Sequence, residues 1–385
     1  MRDWRRVLTE LGNDVARELE RGADSVRRAM GPRLGGGRDA LTIAPYRGFG
    51  TPEYVLLNGR VLEEEATAPS NEKDPRWRNL LVSLRRFESD EVPGALVRAR
   101  IGNAEVEARS DEEGYFQVRL APPVPLAPVH PWQEVELELL EPARPSQPGP
   151  VRATGFALVP AATTHFGVIS DIDDTVVRTD ATDMLRMART VLFENARTRL
   201  PFAGVAAFYR ALHAGVSGDA FRPIFYVSSS PWNLYPLLSE FLEHHDIPLG
   251  PLLLRDWGID PEKPFSTGHA DHKLAAIERI FGTYPTMPFV LIGDSGQEDP
   301  EIYRETVARH PDRVLAVYIR NVSRTPERPS AIAALASEVE AAGSTLLLLP
   351  DTVSAARHAA ERGWIDPARL PEITEEKLED KAQTP

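Results

Sequence analysis

The stretch Phe166-Gly-Val-Ile-Ser-Asp171-Ile-Asp-Asp-Thr175 decides the fold of this chain, because a short apolar run leads directly into three carboxylates. Further apolar runs begin at Pro223, Pro251, Phe289, Val314 and Leu346. Helical patterns separate these runs, and strands that alternate with helices predict an α/β fold with a doubly wound parallel sheet. In such sheets ligands bind at the carboxyl ends of the strands, so we look for chemistry at that edge.

Three further segments surround this α/β domain, which we expect over residues 164–366. Residues 45–160 form short alternating segments broken by Gly, Asn and Pro turns, which predicts a β-sandwich domain. Residues 1–40 predict an amphipathic helix and a glycine-rich linker. The helix either packs on its own protein or lies in a membrane interface. We expect a charged, frayed tail over residues 367–385.

Composition excludes several classes of function. The chain of 385 residues has no cysteine, so disulfides, thiol nucleophiles and thiolate metal sites are excluded. Its formal net charge of −13 argues against non-specific nucleic-acid binding. No apolar run approaches the roughly 18 residues of a membrane span. The N-terminus lacks the apolar core of a secretory signal, so we expect a cytoplasmic protein.

Two carboxylates follow the first strand of the predicted sheet. Asp171 and Asp173 can reach one point if the backbone turns there, and carboxylate oxygens are ligands that Mg²⁺ prefers. One carboxylate can attack phosphorus while the other passes a proton to the leaving group. The alternative is an acidic turn that keeps a strand end hydrated.

A serine-rich turn follows the second strand, in Val227-Ser-Ser-Ser-Pro. Pro231 fits the first position of a helix and Ser230 fits its N-cap. The Ser228 hydroxyl and the amides of the turn can hold phosphate oxygens, as helix starts do. Helix capping alone would explain Ser230 and Pro231, but it leaves Ser228 and Ser229 without a role.

A lysine and two more carboxylates complete the candidate site. Lys273 begins a helical pattern and can neutralise neighbouring anions. Asp294 follows a buried strand and would complete the metal site, whereas Asp299 would bind a metal-bound water or pair with Lys273. The alternatives are a solvated lysine and an acidic turn. Since all these signals follow strand ends in one order, we expect a shared site, with the carboxylates of Asp171 and Asp294 within about 8 Å.

These motifs resemble the haloacid-dehalogenase superfamily of phosphohydrolases and, within it, the actin-patch-protein type of Mg²⁺-dependent phosphatidate phosphatase. The resemblance covers residues 164–325, and the β-rich segment before it is similar to bacterial members in arrangement. The strings that carry it are Ile169-Ser-Asp-Ile-Asp-Asp-Thr-Val176, Phe225-Tyr-Val-Ser-Ser-Ser-Pro-Trp-Asn-Leu-Tyr235, Leu252-Leu-Leu-Arg-Asp-Trp-Gly258, His272-Lys273 and Gly293-Asp-Ser-Gly-Gln-Glu-Asp-Pro-Glu-Ile-Tyr303.

The resemblance implies a role for each catalytic residue. Asp171 would be the nucleophile that forms an aspartyl-phosphate. Asp173 would be the general acid and base, and its main-chain carbonyl would bind Mg²⁺. Thr175 would order that loop, and Lys273 would stabilise the anions.

The resemblance also implies the metal and phosphate contacts. The metal-site residues would be Asp171, Asp173, Asp294 and Asp299, with Asp299 behind the direct ligands. Ser228 would hold the phosphoryl oxygens. The further candidate substrate contacts are Ser229, Arg178 and Arg255, with a surface ion pair as the alternative for both arginines.

The implied activity is hydrolysis of phosphatidate to diacylglycerol and phosphate by a peripheral membrane enzyme. The connection after Thr175 leaves little room for a cap domain, which predicts an open site. Its candidate acyl contacts are Phe193, Leu200, Pro201 and Phe202. Two alternatives stay open: a phosphatase for another bulky phosphomonoester, such as a nucleic-acid end or a phosphoprotein, and a non-catalytic interaction protein.

Overall fold

The structure is a computed structural model that describes residues 40–64, 91–127, 129–145, 147, 149–173, 175–176, 202–218, 220–255, 269–323 and 325–382. The predicted N-terminal helix lies outside these residues. So do Arg178 and all the acyl-contact candidates except Phe202. Within the described residues, every helix is too short or too polar to cross a bilayer.

The N-terminal part of the described chain is an eight-stranded, mostly antiparallel sheet. Its strands are β1 (Ala40–Pro45), β2 (Gly48–Thr51), β3 (Tyr54–Glu64), β4 (Leu96–Ile101), β5 (Ala104–Arg109), β6 (Tyr115–Leu120), β7 (Trp132–Glu141) and β8 (Val151–Leu158). Alternate residues of β4 and β6 are buried, as the period-two pattern predicts. Hydrogen bonds join all eight strands into one sheet, and the two-layer packing of a β-sandwich stays a prediction.

The second sheet is parallel, with the strand order β11-β10-β9-β12-β13-β14. This confirms the predicted parallel α/β arrangement. Its strands are β9 (Gly167–Asp171), β10 (Ile224–Pro231), β11 (Leu252–Arg255), β12 (Phe289–Asp294), β13 (Val314–Arg320) and β14 (Leu346–Leu349). Strands β9, β10 and β12 are almost wholly buried because the sheet is covered on both faces.

Seven α-helices in the described part of the chain cover this sheet. They are α1 (Val205–Ala214), α2 (Tyr235–His244), α3 (His269–Thr283), α4 (Asp299–Arg309), α5 (Arg328–Ala341), α6 (Thr352–Glu361) and α7 (Leu370–Ala382). Helices α1, α2, α6 and α7 pack against one face of the sheet, whereas α3, α4 and α5 pack against the other. Successive strand residues divide between the two cores, as Val168 and Ile169 do.

The prediction of a frayed tail after residue 366 is wrong for residues 367–382. Helix α7 buries Ile373 completely against the core beneath α1 and α6. Its acidic side chains bind the start of α1: Glu376 Oε1 accepts from the Ala207 amide at 2.7 Å and Asp380 Oδ2 from the Gly204 amide at 2.9 Å. The charges of this segment therefore cap a helix N-terminus, where anions are favoured.

The parallel register brings the candidate residues to one edge. Asp171 ends β9 and is paired with Val227 on β10, so the serine turn begins beside it. On the other side of β9, Ser170 is paired with Ile292 on β12, which ends at Asp294. Residues distant in sequence thus meet at the carboxyl ends of three neighbouring strands.

Candidate active site

Three buried carboxylates lie together at this edge. Asp171, Asp294 and Asp299 each offer an oxygen within 4.8 Å of the others. Asp299 is the first residue of α4 and reaches back over β12, where its Oδ2 accepts a hydrogen bond from the Asp294 amide at 3.1 Å. Gly293 permits this approach, because a Cβ at that position would lie 2.5 Å from Asp299 Oδ2.

Lys273 supplies a buried cation beside these three carboxylates. Its Nζ lies 2.8 Å from Asp171 Oδ1 and 2.6 Å from Asp299 Oδ1. Burial by itself lowers the pKa of Lys273, but the two carboxylates raise it above its ordinary value, so the lysine is charged. One ammonium group among three carboxylates leaves a surplus of negative charge.

The pKa values of two carboxyl groups reflect this surplus. Burial raises the pKa of Asp171 well above its ordinary value, although Lys273 acts in the opposite direction. Burial and the neighbouring Asp299 raise the pKa of Asp294 to about 7. Both groups would ionise more readily if a further cation were present, since an opposite charge favours the charged form.

Two oxygens of this cluster are suited to a metal ion. Oδ2 of Asp171 and Oδ2 of Asp294 are buried and have no hydrogen-bond partner among the described residues. Oδ1 of Asp294 already accepts from the amides of Gly296 and Gln297, at 2.6 and 3.1 Å. Unpaired buried oxygens are costly, and a hard divalent cation with oxygen ligands satisfies them. The donor set therefore fits the predicted metal.

The carboxylate of Asp173 points to the serine turn rather than into this group of three. Its Oδ2 accepts from Ser228 Oγ at 2.6 Å and from Ser230 Oγ at 3.3 Å. Its main-chain oxygen, the predicted metal ligand, accepts from Gln297 Nε2 at 3.2 Å. The prediction that Ser230 caps a helix is wrong, because Ser230 belongs to β10 and the following 3₁₀ turn has Pro231 as its N-cap.

The remaining predicted residues divide between the edge and its surroundings. The hydroxyls of Thr175 and Ser229 are buried without hydrogen-bond partners among the described residues, which leaves both donors available. Arg255 ends β11 and is partly buried, which lowers its pKa.

Sequence reasoning missed two residues of the site. Gln297 donates from Nε2 to the Asp173 carbonyl, and its Oε1 accepts from Lys273 Nζ at 3.4 Å. Arg328 donates to the main-chain oxygens of Ser295 and Gln297, at 2.9 and 2.7 Å, and so fixes this loop. Gln297 lies within the motif that runs from Gly293 to Tyr303, whereas no local sequence pattern indicates a role for Arg328.

Known proteins match the segment of the chain that contains these site residues. Residues 166–321 match the family described as phosphatidate phosphatase APP1, catalytic domain. Phosphatidate phosphatase APP1 of Saccharomyces cerevisiae is 34% identical over 160 residues, which is 41% of this chain and 26% of that protein. An uncharacterised protein of Schizosaccharomyces pombe is 31% identical over 163 residues, which is 40% of this chain and 25% of that protein. The family resemblance predicted from the motifs is thus confirmed.

The match covers only part of each relative. The chain spans 26% and 25% of the lengths of the two curated relatives. A solved carbohydrate acetylesterase from Xanthomonas citri aligns over 78% of this chain and 74% of its own, at 11% identity and a TM-score of 0.26, which is too low to indicate a shared fold.

Proposed function

We propose that this chain, whose residues 166–321 belong to the APP1 phosphatidate phosphatase catalytic-domain family, is a Mg²⁺-dependent phosphatase of the haloacid-dehalogenase type that hydrolyses phosphatidate to diacylglycerol and phosphate. The observation that carries the proposal is the buried Asp171, which keeps one unpaired oxygen beside Lys273. A carboxylate in this position can act as a nucleophile, and the neighbouring Lys273 supplies the positive charge that an anionic substrate requires.

The side chains support a two-step transfer. One oxygen of the Asp171 carboxylate attacks phosphorus, and the bond from phosphorus to the glycerol oxygen breaks. Asp173 gives its proton to that oxygen, which leaves as the hydroxyl of diacylglycerol. A water molecule then attacks the aspartyl-phosphate while Asp173 takes its proton. Phosphate leaves and the Asp171 carboxylate is restored.

Repulsion between an anionic nucleophile and an anionic phosphate is the main barrier that the site must lower. Lys273 neutralises Asp171 and Asp299 from within the protein. Asp171, Asp294 and the Asp173 carbonyl would hold Mg²⁺, which supplies positive charge to the phosphoryl oxygens. The hydroxyls of Ser228, Ser229 and Thr175 are the donors available to the same oxygens.

The hydrogen bond from Ser228 to Asp173 gives the acid a defined starting position. In the structure Ser228 Oγ donates to Asp173 Oδ2, and Ser230 Oγ donates to the same atom more weakly. A phosphoryl group that accepts the Ser228 hydrogen instead would release the Asp173 carboxyl toward the leaving oxygen. Phosphate binding and proton delivery are coupled in this way.

The lipid substrate and the membrane location are the parts of the proposal that rest on the family. We propose that the enzyme acts as a peripheral protein on a phospholipid surface, in the cytoplasm, and does not act on nucleic acid. The net charge of −13 agrees with the last point.

One assay separates the proposal from its alternatives. Phosphate release is measured from phosphatidate in mixed micelles, from a soluble aryl phosphate and from a 3′-phosphorylated oligonucleotide, with Mg²⁺ or with EDTA. We expect Mg²⁺-dependent release from phosphatidate. Release from the aryl phosphate or the oligonucleotide alone would refute the lipid substrate, and release from none would favour an interaction protein.

A further inference from the structure

The serine turn is followed by an aromatic stack that joins the two sheets. Tyr46 lies in the loop between β1 and β2 and is almost fully buried. Its ring stacks on Tyr235 at 4.0 Å between centroids and on Trp232 at 5.3 Å, nearly parallel to the latter. Trp232 comes two residues after Ser230, so a side chain of the N-terminal sheet contacts the chain where it leaves the turn.

The neighbouring arginine ties the same loop to α2. The Arg47 amide donates to the hydroxyl of Tyr235 at 2.6 Å. Its guanidinium donates to Ser239 Oγ at 2.5 Å and pairs with Glu243 at 2.7 Å. Contacts therefore run along the first three turns of α2, and the aromatic stack belongs to an extended interface.

A second contact reaches β10 before the turn. Phe49 of β2 packs edge-on against Phe225, with ring centroids 5.6 Å apart, and Phe225 precedes Ser228 by three residues. Tyr284 packs on both rings, at 6.4 and 5.5 Å. The N-terminal sheet thus holds β10 on both sides of the serine turn.

The positions of the serine hydroxyls depend on the backbone of the turn. Ser228 Oγ accepts from the Ser230 amide at 2.9 Å while it donates to Asp173. Ser229 Oγ is buried without a partner among the described residues. Hydroxyls in such a turn reach a ligand only if both flanks of the turn are fixed, since small displacements of positioned groups cost large factors in rate.

We propose that the N-terminal sheet is a positioning element for the phosphate-binding turn, and that Tyr46 is its principal positioning residue. The inference rests on the proposed function for its kinetic part and on the packing alone for its structural part. It gives the β-rich segment a task that lies outside the matched residues 166–321.

The test uses the full chain with three variants. Tyr46→Ala removes both stacking contacts, and Tyr46→Phe keeps the ring. Phe116→Ala is the control, because Phe116 is buried in the core of the N-terminal sheet and that core does not include the serine turn. For each variant, hydrogen exchange is measured at the amides of residues 228–235. The values of kcat and KM are measured on an aryl phosphate, at a temperature below the unfolding temperature of the variant.

We expect Tyr46→Ala to speed amide exchange in residues 228–235 about tenfold, because the free energy of two lost aromatic contacts corresponds to a factor of that order. We expect KM to rise by a similar factor. Tyr46→Phe should restore both. Phe116→Ala should lower the melting temperature without changing either. Equal effects of Tyr46→Ala and Phe116→Ala, or unchanged exchange in Tyr46→Ala, would overturn the inference. A wild-type enzyme inactive on every substrate would instead refute the proposed function, and the exchange measurement would still decide the positioning role.

Discussion

Lys273 Nζ lies 2.8 Å from Asp171 Oδ1, and both side chains are buried. Lys273 also lies 2.6 Å from Asp299 Oδ1, so one buried cation is paired with two buried carboxylates, and an isolated buried charge would cost several kcal/mol. The pair leaves Oδ2 of Asp171 without a hydrogen-bond partner among the described residues, and the Asp171 carboxylate is the proposed nucleophile. The same contact therefore stabilises the fold and prepares the reaction.

Asp171→Asn removes the nucleophile with little change in shape. We expect kcat to fall by about 10⁴-fold or more, as for other nucleophile replacements. The melting temperature should change little, because the amide also removes a charge from a surplus of anions. Asp271→Asn, at an exposed position of α3, should keep full activity. Substantial turnover by Asp171→Asn would exclude the aspartyl-phosphate route.

Lys273→Met leaves Asp171 and Asp299 buried without their cation. Breaking a buried pair in this way costs about 3–5 kcal/mol, so we expect a large fall in the melting temperature. Loss of a cation that faces the transferred phosphoryl group should also lower kcat by about 10²–10³-fold. Thermal unfolding and steady-state kinetics measure the two effects. A Lys273→Met protein of wild-type stability would contradict the buried ion pair.

Gly293→Ala tests how Asp299 reaches the site. The new Cβ would lie 2.5 Å from Asp299 Oδ2 and 2.8 Å from the ring of Tyr303, so the start of α4 must move. We expect activity to fall about 10²-fold, as for a misplacement of about 1 Å. The matched control is Gly282→Ala, whose Cβ in α3 meets open space and should stabilise the helix by about 0.5–1 kcal/mol. Equal behaviour of the two variants would show that Asp299 needs no such approach.

The stability of the metal-free protein should depend on pH through Asp294. Its pKa is raised from an ordinary 3.8 to about 7 by burial and by Asp299. Because the folded state binds this proton more tightly than the unfolded state, the proton's stabilising effect is full below pH 4 and is lost as pH rises toward 7. In EDTA, the melting temperature of the wild type relative to Asp294→Asn should therefore fall between pH 4 and pH 7. A constant or rising difference would contradict the raised pKa.

Much of the parallel sheet could be predicted from the sequence because its signals are local. Apolar runs predicted β9, β10 and β12, and the carboxylates after β9 and β12 were placed at one edge by the rule for parallel strands. The separation within the Asp171, Asp294 and Asp299 group agrees with that expectation.

What the sequence did not predict depends on contacts between distant segments. Ser230 looked like a helix cap, yet it donates to Asp173 because β10 continues through the turn. Arg328 contacts the loop after β12 from the start of α5. The charged sequence of α7 predicts a frayed tail, but its residues Glu376 and Asp380 accept hydrogen bonds from the amides at the start of α1. No local pattern reveals such partners.

The most direct test of the account is chemical trapping of the intermediate on Asp171. The wild-type enzyme is mixed with phosphatidate and Mg²⁺, quenched in acid and reduced with borohydride, which converts an aspartyl-phosphate to homoserine. Peptide mass spectrometry then locates the change. We predict homoserine at position 171, dependent on substrate and absent from a control without phosphatidate. Turnover of phosphatidate with no change at Asp171, or with the change at another residue, would contradict the central claim.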